Sequence, residues 1–472
     1  MSELDPCAWP LDDLARVIGG AWIAPPPSDA EARGLAIDTR ALTPGQLFAA
    51  LPGDRVDGHD FLRAAADAGA SAALIARQPT DVPPGLPLLH VDDVSEAMLV
   101  LARVWREALR AAGVRVIAVT GSNGKTTTVR LIAAALGGAM RVRHAPKSFN
   151  NRLGVPITLL NAGRDLGAVV CEIGMNASGE IDQLAELVRP DISAVTSVGR
   201  AHIGAFEGDP ITAIAREKTA LLRRADECAT LIAPEGPPAI EPFLEPLAPE
   251  RLVRVGVGER AHVRAIDLQP TERGLRFRIA MGEDVRAVSL PLVGRHNAHN
   301  AAVALAVARA CGVDLATAIA GLEGAERAPM RLEPVEIAGY TILNDAYNAN
   351  PDSMRAAIRT LIEIPARRRI AVLGDMLELG DESEAYHRRL GVEVASGGVH
   401  RLVAVGAASR LVAEGARGVA HVESIERPGE ADFQRLAESF EPGDVVLLKG
   451  SRAMALERLL HACQTTATKA LS

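Results

Sequence analysis

Residues 116–128 of this 472-residue chain read Val-Ile-Ala-Val-Thr-Gly-Ser-Asn-Gly-Lys-Thr-Thr-Thr, and no other stretch restricts the fold as much. An apolar, β-branched run predicts a strand. It breaks at Gly121-Ser122-Asn123-Gly124, and Leu131-Ile-Ala-Ala-Ala-Leu136 continues with helical character. Strand, glycine-rich turn and helix N-terminus in that order make a cradle for a polyphosphate. Backbone N–H groups and the helix dipole face the anion, Lys125 adds a charge, and Thr126 can reach a bound Mg²⁺. Gly121, Ser122, Asn123, Gly124, Lys125, Thr126 and Thr127 are therefore candidate nucleotide ligands. Val119 stands where the common P-loop has its first glycine, so this loop is a shorter variant.

The length suggests about three domains at roughly 150 residues each. With 48% hydrophobic and 23% charged residues, the composition is that of a globular protein with ample core. Aromatics are only 3%, so Ala, Leu and Val must fill the interior. A net charge of −8 argues against a general nucleic-acid binder, and an anionic ligand must meet local positive sites. Cys7, Cys171, Cys228, Cys311 and Cys463 are scattered without a Cys-x-x-Cys pair, which argues against zinc clusters and a disulfide scaffold. No apolar run approaches a membrane span and no signal peptide is read at the N-terminus, so a reducing cytoplasm and no membrane insertion are expected.

The pattern predicts an α/β protein of three domains. Residues 1–95 read as a small α/β unit, with strands at Gly34–Asp38, Leu47–Leu51, Ala72–Ala76 and Leu88–Val91. Residues 96–325 alternate strands and helices around the P-loop, which implies a parallel sheet. Within them, Leu275–Ile279 and Val285–Leu290 alternate with period two and predict an antiparallel hairpin. Past a linker at Glu326–Pro329, residues 326–472 read as a doubly wound, Rossmann-like domain.

Several polar residues fall where a ligand would lie. Glu172 ends an apolar strand expected beside the P-loop strand; a carboxylate there holds Mg²⁺ or is merely solvated. His202 alone reads as a loop histidine, and Lys218 alone as a solvated helix charge. Asn297 caps a helix or reads a base edge through its amide, the cap being the default. Asp345-Ala-Tyr-Asn348-Ala-Asn-Pro351 is either a turn with an Asx-type bend or a ligand site at a strand end.

Taken together, Thr120-Gly-Ser-Asn-Gly-Lys-Thr126, Glu172, His202, Lys218, Arg295-His-Asn297 and Arg331 resemble, in order, the Mur ligases, the ATP-dependent amide ligases of peptidoglycan synthesis. Asp38-Thr39-Arg40 and Asp57-Gly-His59-Asp-Phe61 are similar to the first domain of the late-acting members. Asn150-Asn151-Arg-Leu-Gly-Val-Pro, Asp345–Pro351, Leu373–Gly380 and Leu448–Met454 are similar to the member acting last. The Asp-Asn-Pro-Arg motif of the diamino-acid-adding member is absent. The resemblance implies ATP and Mg²⁺ as cofactors, and UDP-N-acetylmuramoyl-tripeptide and D-alanyl-D-alanine as substrates, joined by a monomer. It assigns Lys125 and Arg331 to the phosphates and Asn297, Asp345 and Asn348 to the nucleoside. Thr126, Glu172, His202 and a carbamoylated Lys218 go to Mg²⁺, with Lys125, Glu172, His202, Lys218 and Arg331 as the catalytic set. Asp38, Thr39, Arg40, His59, Asn150 and Asn151 would face the sugar-nucleotide substrate. The diamino-acid-adding ligase, a folylpolyglutamate-type synthetase and a P-loop regulatory ATPase are the alternatives.

Overall fold

The computed structural model describes residues 8–471 apart from 54, 55, 202, 207 and 272. Its frame is three main sheets in chain order. The first has five strands, ordered Ala21–Ala24, Leu88–His90, Ala72–Ile75, Leu47–Ala49 and Leu35–Ala36. The middle sheet has nine and the last has six.

The P-loop strand Arg115–Thr120 lies inside the nine-stranded sheet, parallel to Ala168–Glu172 on one side and Ile192–Val195 on the other. Being covered on both faces, it is apolar at every position from Val116 to Val119, all fully buried. Each such Val or Ile contributes about 1.5–3 kcal/mol of burial. The register sets Glu172 opposite Val119 and Val195 opposite Thr120. The strand ends therefore converge at the carboxyl edge, where open parallel sheets bind ligands. Below, the helices Lys125–Gly137, His296–Ala310 and Leu315–Glu323 pack closely. The alanine-rich face of His296–Ala310 permits this without aromatic filling.

The expected hairpin forms, but it is part of a longer edge. Val263–Pro270 pairs antiparallel with Leu275–Met281 and parallel with Leu252–Gly256, so the sheet continues without interruption to Asp284–Leu290. Two strands there escaped the sequence reading because Val263–Pro270 alternates only weakly and shifts register between Ile266 and Gln269, beside Asp267 at φ +56°.

The last sheet runs Glu333–Ile337, Tyr340–Asp345, Asp444–Lys449, Arg368–Gly374, Arg401–Val405 and His421–Ile425. All pairs are parallel except the first, an antiparallel edge hairpin. One apolar cluster is continuous through all three regions, from Leu11 and Leu35 through Val116 and Ile181 to Leu343 and Met354. Cys171, Cys228, Cys311 and Cys463 are free thiols. Among the described residues, no helix is long and apolar enough to cross a membrane.

The first and middle regions are joined by polar contacts as well. The buried Asn161 amide donates to the carbonyls of Leu35 and Ile157, both at 2.8 Å. Its oxygen accepts the Leu35 N–H at 3.2 Å and the Gln46 amide at 3.0 Å. A Cβ on Gly34 would lie 2.4 Å from that oxygen, and Gly34 has φ +82°, so glycine is needed there twice over. Nearby, Trp105 donates its indole N–H to the Ala162 carbonyl and packs against Trp9, ring centroids 5.0 Å apart.

Candidate active site

The loop between strand and helix is shaped by two glycines. Gly121 has φ +150° and Gly124 φ +82°. A Cβ on Gly121 would lie 2.0 Å from the Thr196 hydroxyl, and one on Gly124 would lie 2.5 Å from the Asn300 amide oxygen. The loop is also tied to the next strand end. Ser122 donates its N–H to the Ser197 carbonyl, Asn123 donates its N–H to the Ser197 hydroxyl, and Thr196 and Ser197 hydroxyls donate to the Asn123 carbonyl. With its carbonyl and flanks held this way, the N-terminal turn of Lys125–Gly137 opens into a cleft of about 690 Å³.

Lys125, Thr126 and Glu172 meet at the floor. The Thr126 hydroxyl donates to Glu172 Oε2 at 2.8 Å and lies 3.0 Å from the Ser148 hydroxyl. Asn150 donates its amide to Glu172 Oε1 at 2.7 Å. Lys125 Nζ folds back to the Gly121 carbonyl at 2.8 Å. Enclosure by the cleft walls pulls the Lys125 ammonium below its ordinary pKa; Glu172 opposes that shift and Arg331 adds to it.

The last domain supplies the opposite wall. Arg331 reaches across and donates an Nη2–H to the Thr126 hydroxyl at 3.0 Å, while its guanidinium stacks 4.2 Å above the Tyr347 ring. Its neighbours Met330 and Leu332 both have left-handed backbone, φ +58° and +49°, a costly arrangement for side-chain-bearing residues. Lys449 pairs with Asp345 at 2.7 Å and donates to the Asn348 carbonyl at 2.9 Å, and Leu332 donates its N–H to Asp345 at 3.2 Å. Asn350, the N-cap of Pro351–Glu363, donates its amide to the Asn123 side chain at 2.8 Å.

Of the residues singled out from sequence, Ser122 to Thr127, Asn150, Asn151, Glu172, Asn297, Arg331, Asp345 and Asn348 all line this cleft. Asn297 is not the helix cap: it sits in the first turn, donates its amide back to the Val293 carbonyl at 2.8 Å, and accepts from Asn300 at 2.9 Å. Asn151 accepts the N–H groups of Leu153 and Gly154 where the helix Gly154–Leu160 begins. Lys218 is not a solvated helix charge but 1% exposed, and burial holds its pKa well below the ordinary lysine value, with nearby Lys125 reinforcing the shift. His202 lies outside the described residues. Asp38 and Arg40 pair with each other on the first domain, away from the cleft lining, and Thr39 lies between them. His59 is buried with both ring nitrogens engaged, one on Asp57 at 2.7 Å and the other accepting the Ala76 N–H at 3.0 Å.

Ser148, Tyr347, Asn350 and Lys449 also line the cleft, although sequence reasoning gave them no role. Three of them sit within segments already marked, the polar run at Asp345–Pro351 and the strand end at Leu448–Met454; Ser148 carried no signal.

The donor set fits a hard cation. The Thr126 hydroxyl and the Glu172 carboxylate converge, and both are oxygen ligands of the kind Mg²⁺ takes. Lys218 as a free ammonium does not fit a metal site; it fits only as an oxygen-bearing derivative.

Residues 31–106 match the Mur ligase family, catalytic domain; residues 119–308 match the Mur ligase middle domain; and residues 330–452 match the Mur ligase, glutamate ligase domain. The chain belongs to the Mur ligase family. It is 35% identical over 457 residues to the UDP-N-acetylmuramoyl-tripeptide–D-alanyl-D-alanine ligase of Bacillus subtilis, covering 95% of this chain and 97% of that one. Its fold is similar to the crystal structure of MurF from Acinetobacter baumannii, with TM-score 0.85, 30% identity, and coverage of 98% and 100%. It is also similar to MurF ligase from Thermotoga maritima in complex with ADP, with TM-score 0.77, 26% identity, and coverage of 93% and 99%.

Proposed function

We propose that this chain joins D-alanyl-D-alanine to UDP-N-acetylmuramoyl-tripeptide, converting ATP to ADP and phosphate through an acyl phosphate. The observation that carries this reading is the convergence of Lys125, Thr126, Glu172 and, from another domain, Arg331 on one cleft, in a chain matching the tripeptide ligases over nearly its whole length. We divide it into residues 1–95 for the sugar nucleotide, 96–325 for ATP, and 326–472, which closes over both.

The reaction must bring a carboxylate to the γ-phosphate of ATP, anion against anion. Lys125 and Arg331 lie where they offset that repulsion, and the N–H groups of the loop hold the phosphates. Thr126 and Glu172 would hold one Mg²⁺, and His202 and a carbamoylated Lys218 a second. When bound, Mg²⁺ supplies further neutralisation of charge on the transferring phosphoryl group. Asn297 faces adenine in this reading, and Asp345 and Asn348 the ribose side. Asn150 and Asn151 border the tripeptide, and Asp38, Thr39 and Arg40 meet the uridine end. His59 braces the Asp57 turn there. The acyl phosphate reacts with water, so the closed last domain must exclude it until the dipeptide amine attacks and phosphate leaves. We read the enzyme as a cytoplasmic monomer.

Phosphate release measured with UDP-N-acetylmuramoyl-tripeptide, with and without D-alanyl-D-alanine, tests the reading. Release that needs the dipeptide supports it, and release indifferent to the dipeptide sinks it. For the carbamate, Lys218→Ala should lose activity and regain part of it with added short carboxylates. Full activity in that variant would exclude the modification.

A further inference from the structure

Residues 199–201 and 203–205, between the strand Ile192–Val195 and the helix Pro210–Arg223, are gripped by the last domain at two points. At one end, Asp352 in the first turn of Pro351–Glu363 accepts the Arg200 backbone N–H at 2.7 Å and faces the Arg200 guanidinium at 3.4 Å. A Cβ on Gly199 would lie 2.5 Å from the same carboxylate, so glycine lets the acid come this close. At the other end, Gly204 donates its N–H to the Glu378 carbonyl at 3.0 Å. A Cβ on Gly204 would lie 2.7 Å from the Gly380 nitrogen. Glu378 and Gly380 are both left-handed, φ +67° and +57°, in the turn that presents that carbonyl.

On its inner side the same segment touches the phosphate loop. The Gly199 N–H donates to the Ser122 hydroxyl at 2.9 Å, and the Gly199 carbonyl lies 3.0 Å from it. One short segment thus has the phosphate cradle on one side and the last domain on the other. Asp352 is held in aim by Arg355, which also binds Glu393 from within the last domain.

We propose that Asp352 is a positioning residue for the ligase reaction. By taking the Arg200 N–H when the last domain is docked, it fixes residues 199–201 and, through Ser122, the loop that holds the phosphates. The chemical step then depends on a docked last domain even after ATP has bound. This rests on the ligase reading above.

The test uses the full chain with Asp352→Ala. The expected result is a fall of about tenfold or more in kcat for dipeptide-dependent phosphate release, with KM for ATP and for both other substrates within about twofold. Asp352→Asn keeps an oxygen that can accept the Arg200 N–H and should recover most of the loss. Hydrogen exchange in peptides spanning 199–205, read with ADP and Mg²⁺ bound, should be faster in Asp352→Ala than in the unaltered chain. Gly204→Ala, which pushes on the second grip, should lower kcat in the same way. Unchanged kcat in Asp352→Ala, or a loss carried entirely by one substrate's KM, would overturn the proposal, as would unchanged exchange at 199–205. The exchange measurement needs nucleotide alone. It therefore decides the grip even if phosphate release ignores the dipeptide, an outcome that would count against the ligase reading instead.

Discussion

Thr126 is a side chain through which two walls of the cleft are joined. Its hydroxyl donates to Glu172 and accepts from Arg331, so it touches the strand beside the loop and the last domain at once. Thr126→Val keeps the shape and removes both of these bonds together with the one to Ser148. We expect kcat/KM for phosphate release to fall about 100-fold, the scale of one lost transition-state contact, with little change in thermal stability; a loss below threefold would contradict the role. Away from the cleft, Arg106 shows how a buried cation serves the fold instead. It is 1% exposed and bonds the Val188 and Arg189 carbonyls and Asp191, which itself accepts the Val116 N–H at the start of the P-loop strand. Arg106→Met leaves the Val188 and Arg189 carbonyls without their donor and Asp191, partly exposed, with only the Val116 N–H, and should cost about 1–3 kcal/mol in urea unfolding. These two residues were unequally legible. Thr126 announces itself by following Gly-Lys, whereas Arg106 has the sequence context of any charge on a helix. His59 illustrates the opposite case: its motif pointed to substrate, yet its ring is spent on Asp57 and Ala76.

At the scale of the element, the strand–loop–helix unit was readable because its requirements are local. Apolar pattern, two glycines and a lysine are all contained within a few residues of chain. Gly124→Ala tests that unit: alanine at φ +82° costs about 1–3 kcal/mol of backbone strain, and its Cβ would press on Asn300. ATP affinity measured by calorimetry should drop at least tenfold while the circular dichroism spectrum is kept. Elements whose form depends on distant partners were read poorly. Val263–Pro270 is a strand because Leu252–Gly256 and Leu275–Met281 flank it, and its own alternation, broken at Asp267, says little. Asn297 was expected to cap its helix, but the chain enters that helix at Arg295 and the amide turns back to Val293. Asp352 is an ordinary acid for a helix first turn, and only the docked domain gives it Arg200.

For the whole molecule, the three-part α/β plan followed from the order of strands and helices, but the way the parts meet did not. The last domain touches the middle one through polar side chains, Asn350 on Asn123, Asp352 on Arg200 and Arg331 on Thr126, through the backbone bond from Gly204 to Glu378, and through the apolar cluster that the two share. The polar contacts can exchange with water, and a swing of the last domain about the chain near residues 326–330 must also part the apolar packing between the two domains. X-ray scattering with an ATP analogue and both substrates should show a more compact particle than the free enzyme; superimposable curves would mean there is no such movement. The joint between the first and middle domains is of another sort, buried and built around Asn161. All four of its hydrogen-bonding positions are used, two given and two received. Aspartate would set a charge against two carbonyls, leucine would strand the Leu35 amide, and glutamine would not fit beside Gly34. Site-saturation at this codon, scored for growth of a host that depends on the enzyme, should therefore return asparagine nearly alone, a stringency normally associated with active sites and found here more than a hundred positions along the chain from the strand it secures.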